Sequence, residues 1–489
     1  MTTAASAQTE LAAPARPADA ARPQRHRWML LFLLLGQGMA AMDTSIINVA
    51  APALHDDLGI SGALLQIAVA GYGLAYAVFL ITGARLGNDH GYRRLFVLGI
   101  ALFTGASLAC GLAPDVSWLI AGRLVQGLGA AILVPQVLSL IQRSFDGAQR
   151  ARAIGYYSMI MGLGSAAGQV LGGVLVSADL FGTSWRPAFL INVPIGIAVL
   201  MCARTVLPPL TGERGARLDL VGVAALSGAM LLALVPLTFG REVGWASWTW
   251  LSLLAGVLGL GLFLLYEKRL GQRGGSPLLN LEALVRPGIR PGLAVIAIGF
   301  TGYGGWLFAT ALYLQSGLGR SALVSGAVFA AYAFGFGIAN VNWSKLPARL
   351  LRWTPTTAIA VMGIVNLAFG WMAMHAGWQP AVMVPLMFLA GSSHGLTFGT
   401  TVNQMTQRVP PAHVPVLSGL VTTSVQLSIV VGIAVLGALY LSEAVTGSAA
   451  ASSSAIATVT FSIAAAAALG VACAWRLATT AGKPEGSSP

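Results

Sequence analysis

Long apolar runs constrain the fold of this chain more than any other feature. They recur from Trp28 to Leu477, and their lengths are close to or above the roughly 20 residues that a helix needs to cross a bilayer. Of the 489 residues, 56% are hydrophobic and only 9% are charged. A soluble protein of this size has a smaller apolar fraction and more charged residues. The pattern therefore predicts an all-α, polytopic membrane protein.

We count fourteen candidate spans in the sequence. They cover residues 28–51, 62–83, 95–113, 117–141, 153–177, 187–206, 219–239, 248–266, 291–315, 323–343, 355–376, 380–402, 416–441 and 453–475. Because fourteen is an even number, both termini are expected on the same side of the membrane.

The positions of the basic residues predict which side that is. If the first span runs outward, Arg123 lies deep within a span and Arg186, Arg241 and Arg320 lie on the outer face. The remaining 24 Lys and Arg residues lie in the termini and even-numbered loops or, for Arg204, at the inner end of span six. This asymmetry follows the positive-inside rule and predicts cytoplasmic termini. The net charge of +12 is then explained by basic residues that set the topology and lie next to anionic lipid headgroups. No nucleic-acid partner is expected.

The segments outside the spans are short or low in complexity. Residues 1–27, rich in Ala, Pro and Arg, are expected to form a disordered cytoplasmic tail, and residues 478–489 form a second tail. The longest internal loop, Tyr266 to Arg290, is too short for a catalytic domain. The spans contain no nucleophile motif, phosphate loop or metal-ligand spacing, so we expect no enzyme, no cofactor and no metal site. The three cysteines, Cys110, Cys202 and Cys473, lie within apolar runs and are expected to be free thiols.

Asp43 is the most informative single residue, because it lies about two thirds of the way along the first span. An acid in a bilayer costs several kcal/mol unless it is paired, protonated or facing a cavity. Arg123 in span four lies at a similar depth, roughly 10 Å below the outer end at 1.5 Å per residue, and Gln126 shares its helix face. We predict that these three residues form a proton-coupling site; the alternative is an ion pair that only ties two helices together.

Four short motifs follow one another in the first half of the chain. They read GARLGNDHGYRR at 83–94, GRLVQG at 122–127, GSAAGQVLGG at 164–173 and WRPAFLINVPIG at 185–196. In this order, and with this span count, they resemble the major facilitator superfamily, specifically its fourteen-span drug:proton antiporters.

The resemblance implies two six-helix bundles, at 28–206 and 291–477, around a central cavity that opens alternately to each face. Two extra membrane helices and a cytoplasmic loop would occupy 207–290. It also implies gating roles for residues of the first and third motifs, namely Gly83, Asn88, Asp89, Gly91, Arg93, Arg94, Gly164, Gly168, Gly172 and Gly173. For the glycines of span five, ordinary tight helix packing is an equally good interpretation.

The chain departs from the family pattern at two motifs. Asn88 stands where the family has Asp, and Asp89 stands where it has Arg or Lys, which weakens the electrostatic part of a cytoplasmic latch. In span five, Gln169 replaces a Pro, so an expected helix kink is absent.

Candidate substrate residues lie in the second half of the chain. In the family, spans nine and ten line the cavity, and here they carry aromatic and amide side chains that suit flat amphiphiles. Deep polar residues in spans twelve and thirteen are further candidates. Each can instead face lipid or a neighbouring helix. The predicted set is Tyr303, Trp306, Phe334, Asn340, His394 and Gln426.

The sequence favours a monomeric, proton-coupled exporter of amphiphilic drugs, antibiotics or an endogenous metabolite in a bacterial inner membrane. Because Asp43 is the only deep acid that we find, neutral or monocationic substrates are favoured. Two alternatives remain open: a proton-coupled importer of a small polar solute, and a membrane enzyme or receptor that transports nothing.

Overall fold

A computed structural model describes residues 17–480, except residues 61, 180–181, 211–218, 241–242, 276, 278–285, 376–378, 411–413 and 445–447. Within these residues the chain folds into fourteen long helices joined by short connections. Their bounds are α1 Pro17–Leu58, α2 Gly62–His90, α3 Tyr92–Gly111, α4 Val116–Ser144, α5 Gly147–Ala178, α6 Asn192–Val206, α7 Leu220–Phe239, α8 Ser247–Gln272, α9 Ile289–Leu312, α10 Ala322–Asn342, α11 Thr354–His375, α12 Pro380–Thr406, α13 Val414–Glu443 and α14 Ala449–Thr479.

The predicted fold class is confirmed. In the described part of the chain, thirteen helices are long and apolar enough to cross a membrane, and α7 contains a shorter apolar stretch, Val221–Leu237. A short turn of helix, Pro187–Leu190, precedes α6, so the sixth predicted span is divided in two. The side of the membrane on which the termini lie remains a prediction from charge.

The helices extend further than the apolar runs suggested. The structure begins α1 at Pro17, so residues 17–27, which we expected to be disordered, are helical; the remaining residues of that tail lie outside the described part. Hydropathy marks only the part of a helix inside the bilayer, and an Ala-rich extension can continue it into water. For the same reason α8 continues to Gln272, into the predicted loop from Tyr266 to Arg290.

The connection between α2 and α3 is tighter than the predicted loop at 83–94. Helix α2 continues to His90 and α3 starts at Tyr92, leaving Gly91 as the only non-helical residue of that motif. Its φ of 94° lies in a region that side chains with a Cβ rarely adopt, so glycine is required there.

The first six and the last six helices form two groups that meet along three seams. Helix α1 packs on α9, α2 packs on α13, and α5 packs on α10. The extra pair, α7 and α8, pack on each other, and α7 also contacts α2 and α13. Helix α7 therefore covers one seam between the groups.

The two groups are joined at one end of the molecule. At that end Gln315 Nε2 donates to the carbonyl oxygen of Val49 at 3.0 Å, and the Leu323 amide donates to Ser177 Oγ at 2.9 Å. A single hydrophobic cluster there contains buried residues of both groups. Toward the other end, separate clusters belong to α1–α6 and to the last six helices. The molecule is therefore sealed where α1 ends and α2 begins.

Candidate functional site

Asp43 lies at the centre of a buried polar cluster built by three helices. Its Oδ2 accepts a hydrogen bond from Arg123 Nη1 at 2.5 Å, and its Oδ1 accepts from Gln126 Nε2 at 2.7 Å and from Asn192 Nδ2 at 3.2 Å. Asp43 and Arg123 are both 0% exposed. Helices α1, α4 and α6 thus place one carboxylate among three donors, and the ion pair has no net charge.

Arg123 is held from several directions. Its Nε donates to the carbonyl oxygen of Ala68 at 3.2 Å, and its Nη1 also donates to Gln126 Oε1 at 2.7 Å. The guanidinium carbon lies 4.8 Å from the centre of the Tyr72 ring, in a cation–π arrangement. Its Nη2 has no hydrogen-bond partner among the described residues. One donor of the buried cation therefore remains available.

The structure brings together the three residues predicted as a proton-coupling site and adds a fourth. Asn192 opens α6 and belongs to the motif at 185–196, which by itself predicts no role for it. The signal that could have found it is depth: counted from the outer end of span six, Asn192 lies about as deep as Asp43 and Arg123 do in their spans. A polar residue at that depth needs a partner.

A cavity lies beside this cluster, between the two helix groups. It encloses about 410 Å³ of empty space, counting the part that is open to solvent. Two predicted substrate residues, Tyr303 and Gln426, line it together with Arg123. Three more polar residues that were not predicted, Thr44, Asn48 and Tyr72, also line it.

The other predicted substrate residues lie elsewhere. Trp306 lines a second cavity inside the last six helices, which it shares with Tyr303. His394 is buried and lines neither cavity; its Nδ1 shares a 2.6 Å hydrogen bond with the Tyr332 hydroxyl, and its ring centre lies 4.5 Å from that of Phe300. Phe334 is 49% exposed on α10. Asn340 lies where α10 meets Gly399 of α12.

The predicted glycine motif of span five forms the contact between α5 and α1. A Cβ built on Gly168 would collide with the carbonyl oxygen of Met42. Cβ atoms on Gly164 and Gly172 would lie 3.1 Å from the carbonyl oxygens of Gly38 and Ile46. On the neighbouring face, a Cβ on Gly173 would lie 2.8 Å from the carbonyl oxygen of Ala322 in α10. These glycines therefore let α5 pack closely against α1 of its own group and against α10 of the other group.

The predicted turn motif packs within the first six helices. A Cβ on Gly83 would collide with the backbone of Ala131 in α4. Arg93 Nη1 donates to the carbonyl oxygen of Leu207 at 3.3 Å. Asp89 is half-buried and Arg94 is exposed, while the side chain of Asn88 lies outside the described part of the structure. The motif thus braces α2 against α4 and α3 against the end of α6.

Comparison with known proteins identifies the family. The family description Major Facilitator Superfamily matches residues 33–219 and 209–433. The chain belongs to the major facilitator superfamily. It is 37% identical over 442 residues to a probable actinorhodin transporter of Streptomyces coelicolor, covering 86% of this chain and 73% of the relative. It is 34% identical over 413 residues to a cephamycin export protein of Amycolatopsis lactamdurans, covering 81% of this chain and 82% of the relative.

Solved structures share the fold. A bacterial homologue of the human lysosomal transporter Spinster, in an inward-facing and unoccupied conformation, superposes with a TM-score of 0.67 at 16% identity, covering 93% of this chain and 97% of that one. A peptide transporter solved with sulfate gives the same TM-score at 17% identity, covering 92% and 95%. The family and the spans make this chain a multi-pass membrane transporter.

Proposed function

We propose that this protein exports amphiphilic small molecules across the bacterial cell membrane in exchange for protons. The observation that carries the proposal is the buried cluster of Asp43, Arg123, Gln126 and Asn192, which lies beside a cavity at the seam between two helix groups. Relatives named as an actinorhodin transporter and a cephamycin export protein support the direction and the substrate type.

The sealed end of the molecule supports alternating access. By the distribution of basic residues, the end where α1 meets α2 faces outward, so this conformation is closed to the outside. Substrate then enters from the cytoplasmic side, and the seams between the helix groups must open and close in turn. Helix α7, which contacts both α2 and α13, lies beside one of these seams.

A proton at Asp43 would change the balance of charge in the cluster. With the carboxylate ionised, the pair with Arg123 is neutral; with the carboxyl protonated, the guanidinium loses its counter-ion. Such a change in a buried site favours rearrangement of α1 against α4, and α1 also packs on α9 of the other group. Each proton moving inward through 100 mV supplies about 2.3 kcal/mol. The chain acts as a monomer in this scheme, with substrate, protons and lipid as its partners.

The test uses proteoliposomes that contain a pH-sensitive dye. Amphiphilic antibiotics are added under an imposed proton gradient to wild type, Asp43→Asn and Asp146→Asn. The last variant is a matched control, because Asp146 is an acid with a side chain 97% exposed. We expect substrate-dependent proton movement in wild type and the control and none in Asp43→Asn.

Two results would contradict the proposal. Proton movement that persists in correctly inserted Asp43→Asn would place coupling elsewhere. Substrate that accumulates on the side to which protons flow would identify an importer instead.

A further inference from the structure

The cavity beside Arg123 has a polar end and an apolar wall, and at the polar end Arg123 and Asn48 each have one buried side-chain atom without a hydrogen-bond partner among the described residues. We propose that this end binds the hydroxyl group of an uncharged amphiphile, with Arg123 donating to the hydroxyl oxygen and Asn48 accepting its hydrogen. The inference rests on the export function proposed above and names the substrate class of that site.

The unused atoms are Arg123 Nη2 and Asn48 Oδ1. Among the described residues both are buried without a hydrogen-bond partner, and both residues line this cavity. Asn48 is 3% exposed, and its Nδ2 donates to the carbonyl oxygen of Thr44 at 3.0 Å, which orients the amide. A buried polar atom without a partner costs about 1–3 kcal/mol. The two residues that line this cavity thus have one unused donor and one unused acceptor, and a hydroxyl group, which both accepts and donates, has the chemistry to pair with both.

The charges around the cavity disfavour a cationic ligand. Arg123 is the only charged residue among those that line it in the described structure. Asp43 does not line the cavity, and both of its oxygens already accept hydrogen bonds from Arg123, Gln126 and Asn192. A lipophilic cation would therefore meet a guanidinium and no free carboxylate. A full anion gains little either, because the Asp43–Arg123 pair is neutral as a whole.

The remaining wall suits the apolar body of such a ligand. It consists mainly of aliphatic residues, Val69, Ala70, Leu307, Ile429, Val430 and Ile433. Tyr303 completes it, and its ring stacks on that of Tyr332 with centroids 5.3 Å apart. This stacking helps to fix the orientation of the Tyr303 ring in the wall. One hydroxyl on an apolar body therefore matches the two unused atoms and this aliphatic wall.

Binding to purified, detergent-solubilised protein tests the inference with three matched fluorescent probes. 1-Hydroxypyrene can donate and accept, 1-methoxypyrene can only accept, and 1-pyrenemethylammonium carries a positive charge. We expect the hydroxyl compound to bind about tenfold more tightly than the methoxy compound, as the loss of one hydrogen bond predicts, and the cation to bind more weakly than the hydroxyl compound.

Two variants locate the effect. Asn48→Ala should reduce the affinity for 1-hydroxypyrene to that for 1-methoxypyrene. Asn366→Ala is the control, because Asn366 also donates to the carbonyl oxygen four residues earlier, at 2.9 Å, but lines only the other cavity. It should leave all three affinities unchanged.

The inference fails if wild type binds the three probes equally, binds the cation most tightly, or binds none of them while its thermal unfolding shows a folded protein. It also fails if folded Asn48→Ala still prefers the hydroxyl compound. These outcomes concern binding alone, so they are separate from a loss of proton coupling at Asp43, which would contradict the export function.

Discussion

Asn192 donates its side-chain Nδ2 to Asp43 Oδ1 at 3.2 Å, across 149 residues of sequence. This bond makes α6 the third helix to hold the acid, after α1, which carries it, and α4, which supplies Arg123 and Gln126. The Asn192 Oδ1 atom has no partner among the described residues. A movement of α6 would therefore directly change the hydrogen bonding of the Asp43 carboxylate.

Removing one charge of the buried pair should destabilise the protein more than removing both. Asp43→Asn leaves the Arg123 guanidinium buried without a counter-ion, and breaking a buried pair in this way typically costs about 3–5 kcal/mol. In Asp43→Asn/Arg123→Gln no uncompensated charge remains. We expect the single variant to have a lower thermal midpoint than the double variant, measured by unfolding in detergent. Equal midpoints would show that water or lipid reaches Arg123.

Loss of Asn192 should impair coupling without emptying the substrate site. Asn192→Ala removes one of the three donors to Asp43, and a hydrogen bond to a charged group is worth about 1.5–3 kcal/mol. We expect proton-driven transport to fall by about tenfold or more, while binding of a substrate in the absence of a gradient changes little, because Asn192 does not line the cavity beside Arg123. Asn366→Ala serves as a control, since Asn366 is a buried amide that donates to the carbonyl oxygen of Met362 away from the acid. An equal loss of proton-driven transport in both variants would show that Asn192 contributes only to packing.

The sequence predicted the fold well because the bilayer limits the possible structures. Apolar length and basic loops identify spans, and each of the fourteen predicted spans is helical, the sixth in two pieces. Helix ends were harder to predict, because residues 17–27 and 84–90 lie outside the apolar runs and are helical all the same. Polar or Ala-rich turns beyond the bilayer carry no hydropathy signal.

The site residues that the sequence predicted are charged or amide residues, whose burial in a membrane span is costly. Asp43, Arg123 and Gln126 were found because charged and amide groups in a span need partners. Phe334 and Asn340 were chosen because their helix lines the cavity in the family, but periodicity does not show which face of α10 turns inward. Thr44 and Asn48 were overlooked because small polar residues are common in membrane helices and only the packing shows that they line a cavity.

The close approach of α5 to α1 predicts a large effect from a small substitution. Gly168→Ala places a methyl group against the backbone of Met42, and overpacking of this kind costs about 1–3 kcal/mol. Gly155→Ala lies on the same helix with no atom within 4 Å of the added Cβ, so it should be neutral or slightly stabilising. We expect the thermal midpoint of unfolding and the transport rate to fall only in Gly168→Ala. If the two variants behave alike, the α1–α5 contact is looser than the structure shows.

We expect that a disulfide bond can hold the sealed end, where α1 ends and α2 begins, in its closed state. The Leu323 amide donates to Ser177 Oγ at 2.9 Å, which brings the facing ends of α10 and α5 together at these two positions, and we expect cysteines placed there to form a bridge. Oxidation of Ser177→Cys/Leu323→Cys, in a background without Cys110, Cys202 and Cys473, would hold that end closed. Because transport requires this end to open in every cycle, we expect oxidation to stop it and a reducing agent to restore it. Ligand binding from the opposite side should survive the crosslink, and the two single-cysteine variants should transport normally under the same oxidant. Undiminished transport by a fully crosslinked protein would show that α5 and α10 need not separate.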